Sequence, residues 1–487
     1  MKPIELFSGI EYSTLQDISK IDLDIKRITC NSQDVQEGDV FIAIKGDRFD
    51  GHNFLNAAIA RGAGMAIVER MSLVQDGFIQ IKVNDTRRAV SILARNFYRD
   101  PSKYIKIIGV TGTNGKTTIT YLLEDIFKNA NFKTGVIGTI NYRVGENVMD
   151  SEQRTTPDPL TLNKLLRDMI EQSIPYCFVE VSSHGLEQGR VEDIKFAGGV
   201  FTNLTHEHLD YHKTVENYLK AKLKLFENLS QDSYAVINND SRYRDELISR
   251  VDAKIITYGI EKESDVMAKD LRLDLNGVRC RIHAEDDVID IKTSLIGKHN
   301  VYNILAAASV AMEEGLGPDR IKNGIMRFSG VPGRLERVEC GQDFGVFIDY
   351  AHTEDALRNV LGTLRQITKK KIILVFGCGG DRDRTKRPEM GRTAAELANF
   401  TIITSDNPRS EDPVKIAKEI EEGFVGMSSK YIVVPDRYEA IKRALSAADE
   451  DALVLIAGKG HEKNQIFSNH TVPFDDKKIA SQILKSL

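Results

Sequence analysis

Short blocks of consecutive apolar residues recur along the chain, separated by stretches of helical periodicity. Val40-Phe41-Ile42-Ala43-Ile44 and Met65-Ala66-Ile67-Val68 read as strands, with a helix-like segment from Asn56 to Gly62 between them. A run that is apolar throughout, rather than alternating, marks a strand covered on both faces. Pro101 sets a boundary after this first block.

The second block opens on Ile105-Lys106-Ile107-Ile108-Gly109-Val110, followed by a Gly/Thr loop, a helical pattern from Thr117 to Asn129 and a strand from Gly135 to Ile140. Strand, loop, helix, strand is a βαβ unit and predicts a parallel sheet. Tyr176 to Val179, Val200-Phe201-Thr202 and Tyr234 to Ile237 read as further strands. The third block begins near Gly333. Its strands are Val346 to Asp349, Lys371 to Phe376, Thr401 to Thr404 and Leu453 to Ala457, spaced by helical stretches. That is a second α/β unit. The expected domains are 1–100, 101–332 and 333–487, and there are no internal repeats or low-complexity linkers.

Composition narrows the class. The 487 residues are 41% hydrophobic and 28% charged, with net charge −5. Such a chain has no general attraction to nucleic acid or an anionic membrane. Cys30, Cys177, Cys280, Cys340 and Cys378 are scattered and form no CxxC pair. This excludes a disulfide framework and fits a reducing compartment. Met-Lys-Pro-Ile-Glu at the start lacks the apolar core of a signal peptide. No apolar run approaches the roughly 18 residues of a membrane span. The expectation is a cytoplasmic protein, without membrane insertion and monomeric.

The chemistry begins at Gly109-Val110-Thr111-Gly112-Thr113-Asn114-Gly115-Lys116-Thr117-Thr118, between a strand and a helix. Small residues let backbone N–H groups converge on phosphate oxygens, and the helix N-terminus adds its positive dipole end. In such loops the lysine, here Lys116, reaches the β- and γ-phosphates, and the hydroxyl of Thr117 binds Mg²⁺. The strict pattern wants glycine at position 110, where valine stands; Gly109 and Gly112 flank it.

This variant, Gly-x-Thr-Gly-Thr-Asn-Gly-Lys-Thr, resembles the Mur ligases and their folylpolyglutamate synthetase relatives. The resemblance implies an ATP-dependent ligase in peptidoglycan precursor synthesis. In that superfamily a carboxylate attacks the γ-phosphate of ATP, and an amine displaces phosphate from the acyl phosphate to form an amide. The implied fold is the three-domain α/β Mur ligase architecture, with a central P-loop parallel-sheet ATPase domain and a C-terminal Rossmann-like domain.

Glu180 ends an apolar strand, where a carboxylate can face the phosphate loop of a parallel sheet. Magnesium prefers oxygen ligands, so Glu180 suits a metal role. The histidine-rich segment Thr202 to His212 lacks the cysteine or third ligand of a zinc site. It resembles the Mur segment Asn-Leu-x-x-x-His-Leu-Asp-x-His, which implies that His208 binds a second magnesium.

Val215 to Leu229 reads as a helix. Val215, Tyr218, Leu219, Leu225, Phe226 and Leu229 share one apolar stripe, and Lys222 falls in its middle. Read alone, such a lysine snorkels its charge to solvent. The family resemblance implies instead that CO₂ carbamylates Lys222 and that the resulting anion helps hold magnesium.

The N-terminal block resembles the domain that holds the UDP moiety in the family's tripeptide-forming members. Ser32 matches their Asp-Ser-Arg motif, whereas Asn31 and Gln33 depart from it. Gly46-Asp47 and Asp50-Gly51-His52 match the next segment. Thr155 and Thr156, with Ser183 and Arg190, are implied in the muramoyl-peptide pocket; each alone fits a structural turn equally well. Asn300 and Asn303 match a motif near the adenine. Arg334 and His352 belong to two motifs of the third block, and Arg334 is implied at the γ-phosphate, reached by domain closure.

Arg382, Asp406-Asn407-Pro408-Arg409, Gly458 and Glu462 resemble an amino-acid pocket. Asp-Asn-Pro-Arg goes with meso-diaminopimelate, whose second carboxylate suits arginine's planar fork; lysine ends in a cation that Arg409 would repel. The expected reaction adds meso-diaminopimelate to UDP-MurNAc-L-Ala-D-Glu with ATP and Mg²⁺. The alternatives are lysine as the amino acid, a folylpolyglutamate synthetase-like ligase, and a non-catalytic nucleotide-binding protein.

Overall fold

In the N-terminal sheet, alternate residues of each strand enter different cores. Val40, Ile42, Met65 and Ile67 pack with Leu93 of the helix Thr86–Phe97, while Phe41, Ala43, Ala66 and Val68 pack with Leu55 and Ala58. Both faces are covered, which explains the unbroken apolar runs. The computed structural model describes residues 1–46, 49–151, 154–205, 207 and 209–487, without the side chains of Leu209 and Asp210. This first sheet has five strands in the order Tyr12–Ser13, Ile79–Val83, Met65–Val68, Val40–Ile42, Ile28–Thr29, all parallel except the first.

A larger sheet is centred on Lys106–Thr111. Gly198–Phe201, Tyr234–Asn238 and Lys254–Gly259 follow on one side, and Tyr176–Glu180 and Thr134–Ile137 on the other, all parallel. The chain leaves Lys106–Thr111 toward one side, through the helix Lys116–Asn129, and later returns to fill the other. The carboxyl end of the central strand is therefore a topological switch point, where open α/β sheets bind ligands. An antiparallel hairpin, Asn141–Val144 with Asn147–Asp150, continues one edge. Val266–Asp274, Gly277–Ala284 and Asp287–Thr293 continue the other.

The last sheet runs Glu336–Arg337, Gly345–Asp349, Ala452–Ala457, Lys371–Phe376, Phe400–Ile403, Lys430–Val433, parallel after its first pair. It too is covered on both faces: Phe347, Leu374 and Leu455 enter one core, and Ile348, Val375 and Val454 the other. The loops after its strands carry Tyr350, Gly377 to Arg382, Asp406 to Arg409 and Gly458 to Glu462.

The chain divides into two compact units. One comprises Met1–Ala268, Ile282–Ile289 and Tyr302–Ile325; the other comprises Lys269–Arg281, Asp290–Val301 and Met326–Leu487. No helix among the described residues is long and apolar enough to cross a membrane.

Candidate active site

The phosphate loop lies where the motif predicts, between Lys106–Thr111 and Lys116–Asn129. Gly112 has φ 146°, and a Cβ there would meet Thr202 Oγ1 at 1.8 Å. Gly115 has φ 93°, and its Cβ would meet Asn303 Oδ1 at 2.5 Å. These two glycines are required by close approach as well as by backbone conformation. Asn203 holds the loop open, accepting from Thr113 N through its carbonyl and from Asn114 N through its side chain, each at 2.9 Å. Thr202 Oγ1 donates to Asn114 O at 2.6 Å. Lys116 Nζ folds over the loop, donating to Gly112 O and Thr113 O at 2.8 Å. Thr117 is buried in the helix's first turn and Thr118 is half-buried beside it. The Thr111 hydroxyl is buried without a partner among the described residues. Small residues, an N-terminal helix end and a cation folded over the loop fit a polyphosphate.

Glu180 ends the neighbouring strand, in register with Val110, and is 1% exposed. Thr139 clasps it, its N–H donating to Oε1 at 3.0 Å and its hydroxyl to Oε2 at 2.9 Å. The strand expected over Gly135 to Ile140 runs Thr134–Ile137, and Gly138 after it lies against the clasped carboxylate, where a Cβ would sit 2.1 Å from Glu180 Oε1. An oriented carboxylate beside a phosphate loop fits magnesium, a hard cation that takes oxygen ligands. His208, expected as a second metal ligand, lies outside the described residues, as do His206 and Asp47.

The helix bearing Lys222 spans Val215–Glu227, two residues shorter at its end than the expected Leu229. Lys222 does point inward, 1% exposed among Tyr218, Leu219, Leu225 and Phe226. Its ammonium lies 4.4 Å from the centroid of the Tyr218 ring. The Tyr218 hydroxyl is 3.2 Å from Thr113 Oγ1, so one tyrosine joins the phosphate loop to the buried lysine. Burial, and then the nearby Lys116, hold the Lys222 ammonium well below its ordinary pKa, against a smaller opposing pull from Glu207.

Thr155 Oγ1 lies 3.1 Å from Thr139 Oγ1, whose own proton is on Glu180, so Thr155 adjoins the Glu180 clasp. Thr156, fully buried, donates its hydroxyl to Glu180 O and accepts from Ser182 N. Arg190 Nη1 donates to Thr156 O at 2.6 Å, and Ser183 Oγ lies 2.9 Å from His212 Nε2. These residues share one neighbourhood with Glu180. Ser32 stands in the loop after Ile28–Thr29 of the N-terminal sheet. There Asn31 Oδ1 accepts from Gln33 N and Asn31 Nδ2 donates to Asp34, so Asn31 serves a local turn. Asn303 packs on Gly115, as described, whereas Asn300 Nδ2 donates to Ile296 O at the start of the same helix, Lys298–Glu313.

The third sheet gathers the remaining residues. Gly333 has φ 70°, and a Cβ on it would lie 2.3 Å from His461 N; one on Gly460 would lie 2.6 Å from Tyr350 Cβ. Tyr350 N donates to Gly333 O at 2.8 Å. The Arg334 guanidinium lies 5.1 Å from the Tyr350 ring centroid, and the Tyr350 and His461 rings are 4.8 Å apart. His352 Nδ1 is 2.9 Å from Tyr350 O. Burial first, and then Arg334, push the His461 imidazole down to about 4.

Next to this cluster, Asp406 accepts from Asn407 N at 2.6 Å and stands against Gly458, where a Cβ would be 2.6 Å from Asp406 Oδ2. Asn407 Nδ2 donates to Glu462 Oε2 at 2.8 Å. The Pro408 carbonyl backs onto Gly380. Arg409 has φ 52° and donates through Nη1 to Gly380 O at 2.8 Å. Arg382 is exposed, on the same side of Gly379 as Arg409. All the expected amino-acid residues thus converge. Thr139 carries no motif signal; Asn203 opens the Asn-Leu segment, Tyr218 lies on the Lys222 stripe and Lys459 stands between Gly458 and Glu462, but only their contacts show what each one holds.

Three family models match in chain order: Mur ligase family, catalytic domain, over residues 24–98; Mur ligase middle domain over 110–311; and Mur ligase, glutamate ligase domain, over 333–460. The UDP-N-acetylmuramoyl-L-alanyl-D-glutamate--2,6-diaminopimelate ligase of Syntrophomonas wolfei is 44% identical over 488 residues, covering 100% of this chain and 99% of the relative. That of Clostridium tetani is 42% identical over 493 residues, covering 100% of both. A solved structure of a ligase of the same name aligns with TM-score 0.69 at 34% identity, covering 96% of this chain and 97% of the other. Identity of that degree along the full length, with all three domain models in order, leaves one conclusion: the chain belongs to the Mur ligase family.

Proposed function

We propose that this enzyme joins meso-diaminopimelate to UDP-MurNAc-L-Ala-D-Glu, with ATP converted to ADP and phosphate. As a Mur ligase it is an ATP-dependent, amide-bond-forming enzyme of peptidoglycan synthesis, and its architecture is the family's three-domain one. We set the domain boundaries at 1–100, 101–332 and 333–487, and we take the enzyme to act as a cytoplasmic monomer. The observation that carries the amino-acid assignment is Arg409, whose guanidinium is anchored by one nitrogen on Gly380 O, while Gly380 N donates to the carbonyl of Asn407. A fixed planar cation suits a second carboxylate and repels a terminal ammonium. The relatives named above are diaminopimelate ligases, which supports the same reading over lysine. Their match through residues 1–100 also sets aside a folylpolyglutamate synthetase-like activity.

We assign nucleotide binding to Gly112 through Thr118, Asn300, Asn303 and His352, and the transferring phosphoryl group to Lys116 and Arg334. Magnesium, held by Thr117, Glu180 and His208, would spread the negative charge that develops on the phosphate oxygens. Ser32 is assigned to the UDP end, and Thr155, Thr156, Ser183 and Arg190 to the muramoyl peptide. We assign Lys222 a carbamate. Its depressed pKa favours the neutral amine, whose lone pair adds to CO₂ carbon with loss of a proton, and the product offers the metal an oxygen.

The test is phosphate release with ATP, Mg²⁺ and UDP-MurNAc-L-Ala-D-Glu, run with meso-diaminopimelate or L-lysine. Strong preference for diaminopimelate is expected. Preference for lysine would overturn the reading of Arg409 and keep the ligase; silence with both would overturn the ligase reading.

A further inference from the structure

Lys459 stands between residues assigned to the amino acid, yet it is itself completely buried. A buried ammonium is tolerated only when paired and hydrogen-bonded, and it has three N–H groups to satisfy. Lys459 Nζ donates to Asn407 Oδ1 at 3.1 Å, to Glu462 Oε2 at 3.1 Å and to Asn464 O at 2.6 Å. It has no donor left for a ligand, so it cannot act by touching one.

Its effect passes through its partners. Asn407 Oδ1 accepts from Lys459 and also from Ile466 N at 3.0 Å. Two donors on one atom decide which end of the amide is oxygen. Asn407 Nδ2 must then face Glu462 Oε2, and one of its N–H groups remains. Glu462 Oε2 is shared by Lys459 and Asn407, while Oε1 has no hydrogen bond among the described residues. The pocket thus presents one amide donor, one carboxylate acceptor and the Arg409 guanidinium. That set offers an acceptor for an ammonium and donors for a carboxylate, the two groups of a zwitterionic amino-acid end.

We infer that Lys459 is a specificity-determining positioning residue, which fixes Asn407 and Glu462 so that the pocket reads a zwitterionic end of the incoming amino acid. The inference rests on the amino-acid assignment proposed above. Without the ammonium, Ile466 N alone opposes reversal of the Asn407 amide, which would offer oxygen to a carboxylate, and Glu462 loses its neighbouring positive charge.

The experiment is steady-state kinetics of the full chain with Lys459→Met and Lys459→Gln, varying ATP, the UDP-linked dipeptide and meso-diaminopimelate in turn. The KM for diaminopimelate should rise by about tenfold to a hundredfold. The KM values for the other two substrates should hold, and kcat should change less. In a cycle with Asn407→Ala, the double variant should lose little beyond Asn407→Ala alone, because both changes remove the same orientation. An unchanged diaminopimelate KM, an equal rise for all three substrates, or additive losses would overturn the inference. So would loss of a cooperative melt in both Lys459 variants, which would make the residue a folding determinant. Wild-type protein silent toward every amino acid would overturn the functional reading itself. Wild-type turnover of diaminopimelate with unaltered variants would overturn this inference alone.

Discussion

Lys222 places a base in a site that disfavours its charge. The native pKa is depressed by burial and by Lys116, so the unfolded chain binds a proton that the native state holds weakly. The penalty is full below the native pKa and fades as pH rises toward roughly 10.4, the value of a free lysine. Replacing Lys222 by methionine keeps the shape and removes the penalty. In CO₂-free buffer, Lys222→Met should melt at a higher temperature than wild type at pH 7, with a smaller difference at pH 9. The same variant should lose turnover while retaining ATP binding, measured by nucleotide titration. Full activity would end the carbamate assignment, and a lower melting temperature would contradict the burial argument. Stability and activity pull in opposite directions at this residue.

At the scale of elements, two helices in the last sheet's layer are joined at their starts. Arg437, first residue of Arg437–Ser446, and Asp476, first residue of Asp476–Leu484, are buried and paired through Nε–Oδ1 at 2.8 Å and Nη2–Oδ2 at 2.7 Å. Arg437 also donates to Ser405 O and Ala457 O, the carbonyls just before Asp406 and Gly458. Breaking such a pair from one side leaves a bare buried charge, so Asp476→Leu should cost about 3–5 kcal/mol in urea unfolding. Adding Arg437→Met should restore much of that stability. The double variant should still bind the amino acid more weakly, because two strand-end carbonyls lose their donor. Equal stability of the single and double variants would sink this account.

Elements also show what a sequence reveals. The strands of the three parallel layers are legible because both faces are covered, so apolar character runs unbroken, as in Lys371–Phe376 and Met65–Val68. Glycine spacing and the lysine likewise give the phosphate loop directly. The antiparallel pieces Asn141–Val144, Asn147–Asp150 and Asn464–Ile466 are too short for a period to stand out, even where polar and apolar residues alternate as in Asn141–Val144. The network around Lys459 is illegible for another reason: Ile466 N and Asn407 Oδ1 are 59 residues apart. Such a bond depends on the fold and leaves no local pattern. Thr139 escapes notice because the sequence places it inside a strand running to Ile140, whereas the strand stops at Ile137 and leaves Thr139 to clasp Glu180.

The whole molecule comprises two units, each with its own cores. Separate cores allow separate cooperative transitions. Calorimetry should therefore resolve more than one unfolding transition. ATP with Mg²⁺ should raise the transition of the unit that carries the phosphate loop, by about 2.7 kcal/mol at a ligand concentration a hundred times Kd. A single transition with equal calorimetric and van't Hoff enthalpies would show instead that the chain unfolds as one.

The glycine-to-glycine interlock of the last sheet has a consequence for fidelity. Gly333 abuts His461, Gly460 abuts Tyr350, and Tyr350 carries Arg334 over its ring. Arg334 and Glu462 flank this interlock, which has no room for a side chain at Gly333 or Gly460. On the roles proposed above, an ill-fitting amino acid that displaced Glu462 would also disturb the loop that carries Arg334. Selection would then be exercised twice, once by whether the guest stays and again by whether the reaction proceeds while it is there.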